Sequence, residues 1–185
     1  MKRYILLVPV ISILASCGSE EKKTETPSPE SAFVGTWATE CISASASSFL
    51  KTTMVFNSDK TSTIELAGYS DSECSNKTFL SSSKYTFSVT GDGEQGSKVV
   101  QTTLTEIKST YFEDSVIAVL NSTNQCESGT WTKGVETNCT NKKINSTSST
   151  DEDAVQKAGN KSEALLKIEG TKLTSVTSKA VFTRK

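Results

Sequence analysis

One stretch decides the fold class of this 185-residue chain: Lys84-Tyr85-Thr86-Phe87-Ser88-Val89-Thr90. Apolar and polar residues alternate along it, which places Tyr85, Phe87 and Val89 on one face of an extended chain. A period of two is typical of a β-strand that has one face in a core and the other in water. The stretch therefore predicts a half-buried strand of an antiparallel sheet.

The sequence on both sides of this strand continues the β pattern. Further short runs of alternating or apolar residues are separated by turn residues, so that each pair predicts a hairpin. The runs are 54–56 and 64–66 around the turn 57–60, 98–108 after the glycine-rich turn 91–96, and 164–169 and 172–184 around the turn 170–171.

Two stretches depart from this pattern. In 114–120 the apolar residues fall at helical spacing, and Asp114 or Ser115 can cap the first turn, so a short helix is expected there, with a buried strand as the alternative. The stretch 140–163 has few apolar residues and is predicted to be a long exposed excursion.

The first seventeen residues resemble the start of bacterial lipoproteins. Met1-Lys2-Arg3 is positively charged, and the apolar run Tyr4–Leu14 that follows would rise only about 16 Å as a helix, too short to span a bilayer. Leu14-Ala15-Ser16-Cys17 is similar to the lipobox, an aliphatic residue and two small ones before a cysteine. The resemblance implies that residues 1–16 are a removed signal peptide and that Cys17 carries a diacylglycerol group and a third acyl chain.

The residues after Cys17 predict where the domain is held. Gly18 follows the cysteine, and the aspartate that retains lipoproteins in the inner membrane of enterobacteria is absent from that position. The bacterial cell envelope, at the outer rather than the inner membrane, is therefore the expected location. Residues 17–31 are polar and are predicted to be a flexible tether, with the folded domain at 32–185.

Composition narrows the classes of partner and chemistry. Removal of Lys2 and Arg3 with the signal peptide leaves 18 basic against 21 acidic residues, a net charge of −3 with no basic block, so no nucleic-acid partner is expected. The chain has no histidine, which excludes the usual serine and cysteine hydrolase arrangements. No enzyme, metal or cofactor is predicted. A Ser–Lys hydrolase is the enzymatic alternative, and Asp151-Glu152-Asp153 lacks the spaced oxygens of a calcium loop.

Four further cysteines, Cys41, Cys74, Cys126 and Cys139, would lie in an oxidising compartment once the chain is exported. Four cysteines allow three pairings, which the sequence does not distinguish. Pairing of chain neighbours, Cys41 with Cys74 and Cys126 with Cys139, is favoured. By the loop-closure model each bridge contributes roughly 3–4 kcal/mol.

Both ends of the predicted domain resemble the calycin group. Ala32-Phe33-Val34-Gly35-Thr36-Trp37 is similar to the opening of intracellular fatty-acid-binding proteins and to the G-x-W signature of lipocalins, and 178–184 resembles the last strand of the former. The resemblance implies an antiparallel up-and-down β-barrel, in which a terminal basic residue packs on the first-strand tryptophan. A β-sandwich is the alternative.

Two features separate the chain from the fatty-acid-binding proteins. Ala180 and Phe182 stand where those proteins carry the arginine and tyrosine that bind a carboxylate, and the predicted disulfides are foreign to them. A secreted, lipocalin-like barrel is the closer comparison. The chain also resembles uncharacterised bacterial lipoproteins with a G-T-W…C start and a Y-x-D-x-x-C element, here Tyr69 to Cys74.

The resemblance leads to two hypotheses for the domain. In the first, the barrel holds a small apolar ligand in a sizeable cavity. In the second, the barrel is filled, and the protein is a structural or interaction lipoprotein that meets another envelope protein. The predicted cavity lining is apolar and mostly aromatic: Trp37, Met54, Phe56, Tyr85, Phe87 and Phe182.

Replacing Cys17 with serine tests the anchor. The Cys17→Ser variant is expected to keep an intact domain that is recovered in the soluble fraction, because two or more acyl chains are needed for stable attachment and this variant carries none. Fractionation after a salt wash measures the effect, with Gly18→Ala as the membrane-bound control. Recovery of Cys17→Ser with the membranes would contradict the prediction.

Overall fold

The computed structural model describes residues 28–143 and 157–185. Signal peptide, Cys17, residues 17–27 of the predicted tether and Asp151–Asp153 lie outside the described residues. Within them the strands are β1 Gly35–Ala38, β2 Ile42–Ser45, β3 Ser48–Phe56, β4 Thr61–Tyr69, β5 Lys77–Asp92, β6 Lys98–Tyr111, β7 Thr137–Asn138, β8 Lys161–Glu169, β9 Lys172–Ser175 and β10 Val181–Arg184. The helices are α1 Asp114–Ser122 and three short 3-10 helices, Pro29–Ala32, Glu94–Gly96 and Gln125–Glu127.

Eight of the strands close into an antiparallel barrel. The ring strands pair in the order β1, β3, β4, β5, β6, β8, β9 and β10, and β10 pairs with β1 to close the ring. The other two strands pair with the parts of β3 and β6 that extend beyond the ring. Strand β2 pairs with the same edge of β3 as β1 does, and β7 pairs with the same edge of β6 as β8 does. The predicted up-and-down barrel with one helix is confirmed, and the sandwich alternative is wrong.

The barrel wall is much taller on one side than on the other. Strands β5 and β6 have 16 and 14 residues, whereas β9 and β10 have four each. Residues 48–52, 66–69, 77–83 and 105–111 therefore continue past the short strands as an extended sheet. The inner face of this sheet is continuous with the barrel interior, because inward-facing residues alternate along each strand.

Trp37 fills the packed end of the barrel. Its side chain is fully buried, and its indole Nε1 donates a hydrogen bond to the Phe33 carbonyl at 2.8 Å. The Arg184 guanidinium carbon lies 4.4 Å from the ring centroid, and Arg184 Nη2 donates to the Ala32 carbonyl at 2.9 Å. The packing of a terminal basic residue on the first-strand tryptophan is thus confirmed. The cluster around Trp37 comprises Phe33, Met54, Phe56, Phe87, Val100, Leu166, Leu173 and Phe182.

A second apolar cluster supports the extended sheet. It contains Leu104, Ile107, Trp131 and the disulfide sulfurs of Cys126 and Cys139, and helix α1 packs on it. The helix over the predicted stretch is confirmed, although Glu113 holds the N-cap position with no side-chain capping bond, so neither Asp114 nor Ser115 is the cap.

Both predicted disulfides are present. Cys41 joins Cys74 across 33 residues with Cα atoms 5.9 Å apart, and it ties the junction between β1 and β2 to the loop between β4 and β5. Cys126 joins Cys139 across 13 residues at a Cα distance of 5.1 Å. The first bridge links two loops at the end of the extended sheet, and the second lies in the apolar cluster that packs on that sheet.

One strand prediction is wrong. Residues 172–184 form two strands rather than one, since the chain turns between Ser175 and Ala180, where the Ser175 amide donates to the Ala180 carbonyl at 2.9 Å. Lys179 adopts a positive φ of 61° in this turn. The polar residues 177–179 lie in the turn, while Val176 is buried and keeps the apolar pattern of a strand.

The boundaries of two polar segments also differ from expectation. Lys161–Glu163, placed in the exposed excursion, are part of β8, where polar side chains hold the pairing: Gln101 Nε2 donates to Glu163 Oε1 at 3.2 Å. Residues 29–31, placed in the tether, belong to a 3-10 helix, and the Glu30 carboxylate accepts a bond from the Val89 amide at 3.3 Å.

Glu30 makes the barrel's stability depend on pH. Hydrogen bonds from its own amide and from that of Val89, with a smaller contribution from the charge on Lys60, hold the pKa of Glu30 below its usual value. Because the folded pKa is lower than the unfolded one, about 4.3, the carboxylate stabilises the fold above that pH, and the stabilisation is lost as pH falls through the folded value. Glu30→Gln should lower the urea midpoint at pH 7 and flatten its decline between pH 5 and 3. An unchanged acid slope would contradict this role.

Candidate ligand-binding cavity

The barrel contains a cavity of about 280 Å³ that lies above the packed end and is partly open to solvent. Apolar side chains from five strands form most of its surface, with Tyr85 and Ala164 at the sides. The apolar members are Met54, Phe56, Ile64, Val100, Leu166 and Phe182.

Hydroxyl groups surround the rest of the cavity. Ser162 and Ser178 are exposed, so the cavity reaches the surface beside the short strands β9 and β10. The Ser162 and Thr102 hydroxyls bond to each other at 2.8 Å. The serines and threonines that line the cavity are Thr52, Ser62, Thr102, Ser162, Ser175 and Ser178.

The six predicted lining residues fall into two groups. Met54, Phe56, Tyr85 and Phe182 line the cavity, and Trp37 and Phe87 do not. Phe87 packs edge-on against Phe56 with ring centroids 4.9 Å apart, and Trp37 is covered by Phe33 and Arg184. Trp37 and Phe87 thus belong to the packed end of the barrel, whereas the other four residues border the cavity.

Ser62 has an unsatisfied hydroxyl inside the barrel. The residue is 2% exposed, and its Oγ has no hydrogen-bond partner among the described residues. It lines the cavity between its cross-strand neighbours Phe56 and Tyr85, which lie on the same inward face. A buried polar group without a partner usually has a functional or strain-related reason.

A second cavity of about 190 Å³ lies on the inner face of the extended sheet. Strands β5 and β6 form one side of this cavity and supply its hydroxyl groups. The segment after β6, which contains the 3-10 helix Gln125–Glu127 and the Cys126–Cys139 disulfide, forms the other side. The lining residues are Ser81, Ser83, Ile107, Ser109, Tyr111, Gln125, Cys126, Trp131 and Cys139.

None of the serines in this wall was predicted from the sequence to line a cavity. Ser81 and Ser83 continue the phase of Tyr85, Phe87 and Val89, so they lie on the inward face of the same strand. The alternation along β5 therefore predicts that these serines face inward. It does not show whether they face solvent or a cavity, because serine is found in both places.

Neither cavity is lined by a charged residue. Burial raises the pKa of the Tyr111 phenol, which therefore stays neutral at physiological pH. Among residues 28–143 and 157–185 no group of three potential metal ligands is found. The interior can therefore form apolar contacts and neutral hydrogen bonds, and it offers no ion pair.

The enzymatic alternative needs a lysine that acts as a base. On β5 and β6, Lys84 binds Glu106 at 2.7 Å, and Lys108 binds Glu136 at 2.8 Å. A hydrogen bond from Lys108 to Glu136 and the charge of Glu106 raise the pKa of that lysine, opposite to what a general base requires. The Ser–Lys hydrolase stays an untested hypothesis.

Comparison with known proteins does not assign the chain to a family. No protein-family model matches the sequence, and no curated protein matches it. Helices in the described part of the chain are all too short or too polar to cross a membrane.

Two buried serines give a matched test of the cavity wall. Ser62→Ala removes a buried hydroxyl without a partner and is expected to raise the free energy of unfolding by about 1 kcal/mol. Ser97 is equally buried, but its hydroxyl donates to the Glu94 carbonyl at 2.7 Å, so Ser97→Ala should lower stability by about 1 kcal/mol. Urea unfolding measures both changes. A loss of stability in Ser62→Ala would show that the hydroxyl has a partner.

Proposed function

We propose that this chain is a lipid-anchored bacterial envelope protein whose barrel binds a small apolar ligand beside the membrane. The observation that carries the proposal is the apolar cavity inside the barrel, about 280 Å³ in volume. A filled interior would have favoured the alternative, a structural or protein-interaction lipoprotein.

The size of the cavity limits the ligand. An apolar cavity of about 150 Å³ binds benzene in a well-studied engineered protein, and drug-sized ligands occupy pockets of about 300–1,000 Å³. This cavity is about twice the former and just below the latter. It suits a two-ring compound or a medium-length hydrocarbon chain.

The chemistry of the lining favours an apolar ligand over an anion. Phe182 lies in the cavity wall where the fatty-acid-binding proteins are expected to carry part of their carboxylate clamp. Without a positive side chain in the lining, burial of a carboxylate would cost several kcal/mol.

The proposed anchor gives this cavity a source of ligand. Cys17, if acylated as the lipobox implies, would hold the domain near a bilayer, where apolar molecules concentrate. The domain would then take up or deliver a molecule at the membrane surface. The predicted outer-membrane location is part of this proposal, whereas an envelope-protein partner belongs to the alternative.

Filling the cavity should abolish binding. Ala164 lines it, whereas Glu163, its neighbour on β8, is exposed on the outer face. Ala164→Leu should weaken the binding of the neutral dye N-phenyl-1-naphthylamine at least tenfold, because the added carbons occupy the ligand's space. Fluorescence titration of the Cys17→Ser protein measures the affinity.

Glu163→Leu is the matched control, with the same new side chain outside the barrel, and it should bind the dye normally. Equal affinity of the two leucine variants would place the dye elsewhere. Absence of any dye binding to the parent protein would contradict the proposed function.

A further inference from the structure

We propose that the ligand is an uncharged amphiphile, with its apolar part in the barrel cavity and a hydroxyl-bearing head group on the serines of the extended sheet. This inference rests on the proposed function and adds the chemical class of the ligand. It assigns a head-group site to the second cavity, whose hydroxyl-bearing wall contains Ser81, Ser83 and Ser109.

The linings of the two cavities are neighbours across the sheet, and we call the two cavities together the trough. Ser83 in the second cavity pairs across the sheet with Ile64, which lines the first. Tyr85, two residues further along β5 on the same face, also lines the first cavity. Directly opposed residues have Cβ atoms about 5 Å apart, so an eight-carbon chain in the barrel would bring an attached head group within reach of the serines.

The hydroxyls of this wall are available to a ligand. Ser81, Ser83 and Ser109 are half-buried, and their side chains make no hydrogen bond to the described residues. Three neighbouring hydroxyls on two strands can donate to and accept from the hydroxyls of a sugar or glycerol group, since each is both a donor and an acceptor.

Ser62 is a second, independent observation. Ser62 is 2% exposed, and its hydroxyl has no partner within the described part of the chain. It lies on the inward face of β4 opposite Tyr85, close to the serine wall. A ligand oxygen near the junction of chain and head group would satisfy this hydroxyl after a rotation about χ1, which breaks no existing bond.

The absence of charge from both linings decides the class of head group. No lining residue of either cavity is Lys, Arg, Asp or Glu, and Tyr111 remains a neutral phenol. A charged head would lose its hydration without gaining a counter-charge. A neutral polyol head exchanges its water hydrogen bonds for serine hydroxyls at little cost.

The test compares two amphiphiles with the same eight-carbon chain, n-octyl β-D-glucoside and sodium octyl sulfate, each below its critical micelle concentration. Displacement of N-phenyl-1-naphthylamine from the Cys17→Ser protein gives the affinity of each. The glucoside is expected to bind at least tenfold more tightly than the sulfate.

The chain supplies a matched set of variants in Ser81-Ser82-Ser83. Ser81→Ala/Ser83→Ala removes two hydroxyls from the trough and should weaken glucoside binding about tenfold while leaving dye binding unchanged. Ser82 faces outward, paired with Glu65 and Lys108, so Ser82→Ala should bind both like the parent. Ser109→Ala, on β6, should weaken the glucoside about threefold and serves as a second variant if the double substitution does not fold.

Three results would overturn the inference. If the dye binds but the sulfate equals the glucoside, or the double variant binds glucoside like Ser82→Ala, the head-group site is wrong and the apolar cavity stands. If neither dye nor glucoside binds the folded protein, the proposed function is wrong and the inference fails with it.

Discussion

Trp37 is the residue on which closure of the barrel depends, because it lies where the first strand meets both of its neighbours. It pairs with Arg184 of the last strand on one side and with Met54 of β3 on the other. Its indole hydrogen bond to Phe33 and the Arg184 guanidinium on its ring hold the 3-10 helix, the first strand and the last strand together. A ring of eight strands has no free edge at this point, and the core beneath it is sealed from water.

The concentration of aromatic side chains around Trp37 leaves the opposite end of the interior hollow. The inward row of β5 shows the change along a single strand, from Val89 and Phe87 in the packed end, through Tyr85, to Ser83 and Ser81 on the extended sheet. The two disulfides and helix α1 support this taller wall, which the short strands β9 and β10 do not cover. Polarity thus increases along β5 from Val89 to Ser81, with no charged residue in the lining of either cavity.

Much of the fold was predictable because the alternation of apolar and polar residues indicates β-strands. The run at 84–90 predicted a strand. The sequence allowed three disulfide pairings, and the one favoured for chain neighbours is the one present. The site was less predictable. The hydropathy of Ser81 and Ser83 is the same in a cavity wall as on a solvated face. The turn between β9 and β10 was not predicted because Val176, which lies in it, is apolar and buried like a strand residue. Whether an aromatic residue lines a cavity or fills it depends on how neighbours across the barrel pack, as Phe87 shows, and no local pattern contains that information.

We propose that the barrel interior holds a small, uncharged molecule in the cell envelope. Native mass spectrometry of the Cys17→Ser protein, purified from the periplasm of its own cells without detergent, tests this most directly. The expected result is two disulfides and a population of protein that carries one bound neutral molecule, which is lost in the Ala164→Leu variant. A protein recovered only in the unbound form, or one whose bound mass persists unchanged when the cavity is filled, would contradict it.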